Sequence, residues 1–143
     1  ALDWAAVLQL ASVVGGAEWV LDMTVQHARH RHQFGQPIGA FQAVAHRCVD
    51  MRTDLDACRY LAYRAAWALD QGHDAELEVA SAKAYAGDAM RRIFAHAHQV
   101  HGALGFSTEH DLHLFTRRAK AFELSCGTTH RHLDRVATAM GLG

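Results

Sequence analysis

The sequence predicts an all-α protein, an antiparallel four-helix-type bundle with an additional short helix. Three observations carry the prediction. Apolar residues recur at three- and four-residue steps over long stretches, which lines one face of a helix. Pro37 is the single proline, and there is almost no alternating β-branched stretch of the kind a strand needs. The chain is 50% apolar and 20% charged, so it has the material for a core.

The first periodic segment runs from about Asp3 to His30, with Leu10, Val14, Ala17, Leu21, Val25 and Ala28 on one face. Gly15 and Gly16 inside it each cost about 1 kcal/mol relative to alanine, which suits a place where another backbone approaches closely. Phe34-Gly35-Gln36-Pro37 breaks the helix. The second segment has a strict 4-3-4-3 seam through Val44, Cys48, Met51, Leu55, Cys58, Ala62, Ala65 and Leu69, the mark of a bundle helix packed along its whole length. Gly72 turns the chain and Asp74 is placed to cap the third helix. That helix carries Val79, Ala82, Ala86, Met90, Ile93, Ala97 and Val100. A loop over 101–107 leads to a shorter helix around 109–124. Thr128 or Thr129 then caps a last helix, with Leu133, Val136 and Met140 expected inward.

At 143 residues the chain reads as one domain, 1–143, with no linker, repeat or low-complexity tract. A formal charge of −1 offers no broad attraction for nucleic acid or an anionic membrane. No uninterrupted apolar run of about 18 residues argues for a membrane span, and the N-terminus lacks the basic region of a secretory signal. Cys48, Cys58 and Cys126 are odd in number and widely spaced, which fits free thiols in a reducing cytoplasm. The chain begins inside a helical pattern without an initiator methionine, as a fragment or processed product does.

The loops carry more specific information than the helices. Arg31-His32-Gln33-Phe34-Gly35-Gln36-Pro37-Ile38, followed by Phe41-Gln42, resembles the R-x-x-F-G-x-P-[IL]-x-x-[FH]-Q signature of acyl-CoA dehydrogenases. Farther along, Gln99-Val100-His101-Gly102-Ala103-Leu104-Gly105-Phe106, ending at Glu109, resembles that family's Q-x-x-G-G-x-G-[FY]-x-x-E. Arg118 and Cys126-Gly127-Thr128 fall where the family has R-[DA] and E-G-T. The ordered set spans essentially the whole chain and is similar to the C-terminal helical domain of that family, with the N-terminal helical and middle β domains absent from this chain.

The resemblance implies a bundle that assembles into oligomers, homo- or hetero-, with FAD lying partly across the subunit interface. It places Arg31 on the FAD pyrophosphate of a neighbouring subunit, where a guanidinium fork suits phosphate oxygens. It places Phe34 near the adenine end and gives Gln42 a hydrogen bond to the cofactor. Gln99, Val100, His101, Gly102 and Ala103 would present backbone N–H groups and an amide to the adenosine diphosphate. Thr128 would meet a cofactor in the first turn of the last helix, where free N–H groups favour anionic oxygen. The chain departs from the pattern at Ala103, which replaces the second glycine, and at His130, where many members have glutamine.

The family's reaction is α,β-dehydrogenation of an acyl-CoA thioester: a glutamate removes the α-proton while the β-hydride goes to flavin. In the E-G-T seat this chain has Cys126. The alternative seat, counted back from Arg31, is Ala5. Neither is a carboxylate. A free thiol is only a few per cent ionised at neutral pH; Asp3, two residues before Ala5, is expected on a different helix face; His130 is a weak candidate base. The resemblance therefore implies a partner subunit without its own base, inactive alone, in an oxidoreductase that handles a bulky or steroid-derived acyl-CoA in fatty acid or steroid catabolism. The alternatives are a flavin-dependent monooxygenase-like branch, which needs no such glutamate, and a purely structural oligomerisation bundle. Twelve histidines invite a metal reading. His27, His30 and His32 lie close together, as do His96, His98 and His101, but the chain has no Glu-x-x-His of a di-iron bundle and no metal is expected.

Overall fold

The computed structural model describes residues 2–107 and 110–142. Thr108 and Glu109 of the second motif lie outside the described residues. Five helices account for nearly all of the chain: α1 (Leu2–His30), α2 (Gln42–Asp70), α3 (Glu76–His101), α4 (Leu112–Leu124) and α5 (Thr129–Ala139). Between α1 and α2, β1 (His32–Gln33) and β2 (Gln36–Pro37) form a two-residue antiparallel hairpin. Its loop residues Phe34 and Gly35 both have positive φ, +54° and +80°, the combination a tight hairpin loop requires. A 3₁₀ turn, Ile38–Ala40, leads into α2, and a second, Gly102–Phe106, follows α3.

Helix α3 is the centre of the bundle and packs against α1, α2, α4 and α5. It is buried nearly all round, and half of what it buries is alanine or glycine: Ala80, Ala82, Ala84, Ala86, Gly87, Ala89 and Ala97. Such a surface lets four neighbours approach closely. Met90, Ile93 and Phe94 supply bulk lower in the helix, against Leu10, Val13, Val20, Met51 and Leu55 in one continuous core. Two buried charges are tied down. Asp54 of α2 accepts from Arg92 Nε at 2.8 Å and Nη2 at 2.7 Å, and from the Tyr85 hydroxyl at 2.9 Å. Burial raises the Asp54 pKa, but the Arg92 and Tyr85 hydrogen bonds outweigh it and hold the carboxyl below its usual range. Lys83 of α3 donates through Nζ to the Phe122 carbonyl at 2.5 Å, in the last turn of α4, so the ammonium satisfies a helix-end acceptor.

The sequence periodicity places α1, α2 and α3 correctly, and the Leu10–Ala28 and Met51–Ala65 faces are buried, although Val25, Val44, Cys48 and Leu69 are only partly so. Four details differ. Gly16 faces no backbone: its Cα lies under the Phe115 ring, where a methyl would meet Cδ1 at 3.2 Å, while Gly15 is open. Helix α3 starts at Glu76 with Ala75 at the cap position; Asp74 Oδ1 accepts the Glu76 N–H at 3.3 Å. Helix α4 starts at Leu112 rather than 109. The largest correction concerns α5. Leu133 and Met140 are 50% and 62% exposed, whereas His132 is 1% exposed. A short amphipathic helix is rotated so that its hydrogen-bonded histidine, and not its leucine, faces α3. Thr128 caps this helix as expected, its hydroxyl accepting from Arg131 N–H.

Helix α1 contains an 18-residue window of mean hydropathy 1.4, apolar enough by length and composition alone to cross a membrane. Its buried residues instead face α2, α3 and α4 inside the bundle.

Gly87 sits where any Cβ would collide with Thr129 Oγ1 at the α3–α5 contact. Gly87→Ala should lower stability by about 1–3 kcal/mol, with Thr129→Gly in the same chain recovering most of the loss; urea denaturation of the two variants checks this.

Candidate functional site

Two separate regions collect the residues singled out by the sequence. The first is a cleft of about 280 Å³ where the end of α1, the hairpin and the turn after α3 meet; it is lined by His27, Arg31, Gln33, Ile38, Val100, His101, Gly102, Ala103 and Leu104. Arg31 and the Val100–Ala103 segment, far apart in sequence, thus share one concave surface within a single chain. The hairpin is held on this surface by Ile38 N–H donating to the Arg31 carbonyl at 2.8 Å. Among the described residues no carboxylate pairs with the Arg31 guanidinium, which is exposed. Gly102 ends α3 with φ +61° and its N–H on the His98 carbonyl. Phe34, at the hairpin tip, is 92% exposed and meets Phe41 edge-on, with ring centroids 6.2 Å apart. Gln42 and Gln99 are exposed at the near ends of α2 and α3, outside the cleft lining.

The floor of this cleft is a stack of imidazoles that the sequence did not announce. His101, 5% exposed, has its ring centroid 4.5 Å from that of His27 and 4.7 Å from that of His110. Thr24 Oγ1 gives its proton to the Val20 carbonyl at 2.7 Å, so it accepts from His101 Nε2–H at 3.2 Å. The opposite ring nitrogen, Nδ1, is buried without a hydrogen-bond partner. A second proton there would have no acceptor and would face two neighbouring imidazoles. Burial, then His27 and His110, push the His101 pKa down to about 4; burial also lowers His27 and His98. Among the described residues, no group of three or more His, Cys, Asp or Glu side chains is arranged to hold a metal ion. His30 and His32 bond backbone carbonyls instead.

The second region surrounds the turn between α4 and α5. A cleft of about 380 Å³ there is lined by Leu2, Asp3, Ala6, Cys126, Gly127, Arg131, His132 and Arg135. Cys126 adopts φ +54° and Gly127 φ +102°. His132 Nε2–H donates to the Cys126 carbonyl at 2.9 Å, which fixes the turn through backbone alone. Burial lowers the His132 pKa, against the opposing effect of that bond. Ala6 of α1 lines this cleft; Ala5, the other seat that the family resemblance names for the base, precedes it in the helix and is not among the lining residues. Asp3 lines the cleft where Ala5 does not, in keeping with its different helix face; it is ion-paired with Arg135 at 3.2 Å, and Arg135 also holds Glu76 at 3.2 Å. His130 is exposed and does not line this cleft. Thr128 is exposed beside it and is not part of the Arg31 cleft.

Comparison with known proteins gives the family. The family model described as "Acyl-CoA dehydrogenase, C-terminal domain" matches residues 1–141. The probable acyl-CoA dehydrogenase YngJ of Bacillus subtilis is 35% identical over 128 residues, covering 90% of this chain and 34% of that protein. The solved structure of PigA with FAD and proline superposes with a TM-score of 0.94 at 33% identity, over 99% of this chain and 37% of that one. The ChsE4–ChsE5 complex from Mycobacterium tuberculosis gives a TM-score of 0.93 at 32% identity, over 99% of this chain and 39% of that one. The chain therefore spans about a third of the length of these relatives.

The His101 environment makes a pH prediction. Its folded pKa is below its unfolded value, so its neutral form stabilises the fold fully above about pH 6.5 and less as pH falls toward 4. Urea denaturation at pH 7.5 and 5 should show a loss on the order of 1–3 kcal/mol, and His101→Leu should flatten that dependence. With the loops, the helices and the solved relatives in agreement along its whole length, the chain belongs to the acyl-CoA dehydrogenase family and is its C-terminal helical domain.

Proposed function

We propose that this chain is the FAD-contacting, oligomerising bundle of an acyl-CoA dehydrogenase-like flavoprotein that acts on an acyl-CoA thioester, and that it serves as a partner subunit without its own base. The observation that carries the reading is the cleft shared by Arg31 and the Val100–Ala103 turn. An unpaired guanidinium on a concave surface, next to a helix-ending turn with Gly102 at positive φ, fits a dinucleotide's diphosphate. Arg31 would bind it, Phe34 would pack the adenine end, and Gln42 and Gln99 would hydrogen-bond at the rim. Ala103 would offer its backbone N–H, the Gly102 N–H being taken by the His98 carbonyl, and Thr128, at the other region, would meet a cofactor held by its own chain. FAD, when bound, supplies the hydride acceptor.

On the thioester side, what matters is which atoms the turn presents. Cys126 fills the seat that a glutamate would need, Ala5 offers no polar atom, and Asp3 is engaged by Arg135. The Cys126 backbone N–H remains available to polarise a thioester carbonyl, while the proton is taken by a carboxylate on another subunit. The exposed aromatic row Tyr60, Tyr63 and Trp67 on one side of α2 supports assembly, since such surface is usually covered by a partner. A bulky or steroid-derived acyl group and a cytoplasmic setting complete the proposal; the three free thiols suit a reducing compartment.

Arg31→Gln in the assembled flavoprotein should weaken flavin retention about tenfold or more with an unchanged helical circular dichroism spectrum; flavin absorbance after gel filtration reads it, and full retention would count against the cleft. Cys126→Glu should raise thioester dehydrogenation by a factor of about 10² or more in an assembly made of this chain alone. High activity of the unsubstituted chain, with no carboxylate-bearing partner present, would overturn the partner-subunit reading.

A further inference from the structure

Arg31 does not face its cleft alone. His27 lies one helical turn before it on α1 and lines the same concave surface. Side chains so spaced lie ~5–6 Å apart at Cβ, close enough for one ligand to touch both. A diphosphate carries a negative charge on each phosphate, and a single guanidinium matches only one of them. His27 is placed to match the other by taking up a proton.

The hydrogen bonds of the stack decide which imidazole can take that proton. His101 is 5% exposed, gives its Nε2–H to Thr24 Oγ1 and keeps Nδ1 buried without an acceptor. His110 uses Nδ1 to accept the Leu112 N–H at 3.3 Å. His98 meets Thr116 Oγ1 at 2.8 Å and does not line the cleft. His27 is half-buried, and among the described residues neither of its nitrogens has a hydrogen-bond partner. The titratable and charged groups that act on it are all basic: Arg31 from its own helix, His101 from the end of α3 and His110 from the segment before α4. Burial, then Arg31 and His110, lower the His27 pKa in the free chain. An anion held between His27 and Arg31 offsets the guanidinium charge and pairs with the protonated ring, and both effects raise that pKa. A group whose pKa rises on binding strengthens the binding as pH falls through the bound value, and adds nothing more below the free value.

We propose that His27 is a second, proton-gated cation for the dinucleotide diphosphate, so that the cleft takes up a proton with its cofactor and holds it more tightly at pH 6 than at pH 8. The inference rests on the diphosphate reading of the Arg31 cleft and adds its regulation. His27 stands outside both loop signatures, so the coupling belongs to this chain's own residues and not to the motifs. The neutral His101 ring gives His27 a flat surface to lie on. Because a second proton on His101 would have no acceptor, uptake is confined to one ring. The pH window lies above the range near 4 in which His101 itself charges. Arg31 holds the anion throughout this window, and His27 grades the hold.

The test is isothermal titration of FAD into the apoprotein of the assembled flavoprotein at pH 7, in buffers of different ionisation enthalpy, which counts the protons taken up with the cofactor. The expected result is uptake of about half a proton per site, with FAD held about fivefold more tightly at pH 6 than at pH 8. His27→Gln should abolish both effects, and His27→Lys, a permanent cation, should bind FAD equally at the two pH values with no uptake. His30→Gln should leave both effects unchanged, since His30 bonds the Gln26 carbonyl and lies outside the cleft lining. Zero uptake in the unsubstituted protein, or uptake that survives His27→Gln, overturns this inference alone when Arg31→Gln still weakens FAD binding. FAD affinity untouched by Arg31→Gln overturns the inference and the diphosphate reading together.

Discussion

The close approach of four helices to α3 is the constraint on which the rest of the structure depends. An alanine-rich helix gives up bulk on every side, so its neighbours are positioned by short contacts that tolerate little change in volume. Both candidate regions inherit their geometry from it. At its C-terminal end α3 delivers Val100, His101 and Gly102 to the Arg31 cleft. Nearer its start, Lys83 holds the Phe122 carbonyl and Gly87 admits Thr129, which together seat the turn containing Cys126. Lys83 carries the cost of this in its own titration: burial pushes its pKa down to about 8.

How far the sequence could be read follows from the range of the interactions involved. The long helices were legible because 3.6-residue periodicity is local and each of them buries one stripe over many turns. Helix α5 was not, because eleven residues leave room for two apolar faces, and the choice was made by a hydrogen bond from His132 to the preceding turn. The Arg31 and Gln99 motifs were legible as spaced patterns, and the structure brings Arg31 and Val100–Ala103 to one surface. The imidazole stack was hidden, since His27, His101 and His110 come from three different segments and share no spacing. The same holds for Asp3 with Arg135 and for Gln9 with Ser125, pairs separated by 132 and 116 residues.

The two ends of the molecule differ in how they treat charge. At the Arg31 end a cation is left exposed and uncompensated above neutral, buried histidines, so the local field is set by one guanidinium. At the Cys126 end cations are numerous, but Asp3 and Glu76 share Arg135 and leave less of it for a ligand. Arg131 also lines the Cys126 cleft, and among the described residues no carboxylate pairs with it, so that end too keeps a guanidinium for an anion.

The turn at Cys126 is built from a positive φ, a glycine and a histidine bonded to a main-chain carbonyl. None of these uses the side chain at position 126. The architecture thus separates holding the main chain of this turn from choosing the side chain at position 126. A turn arranged in this way can change its occupant at that position and keep its path, so variation there is decoupled from variation in the bundle that carries it.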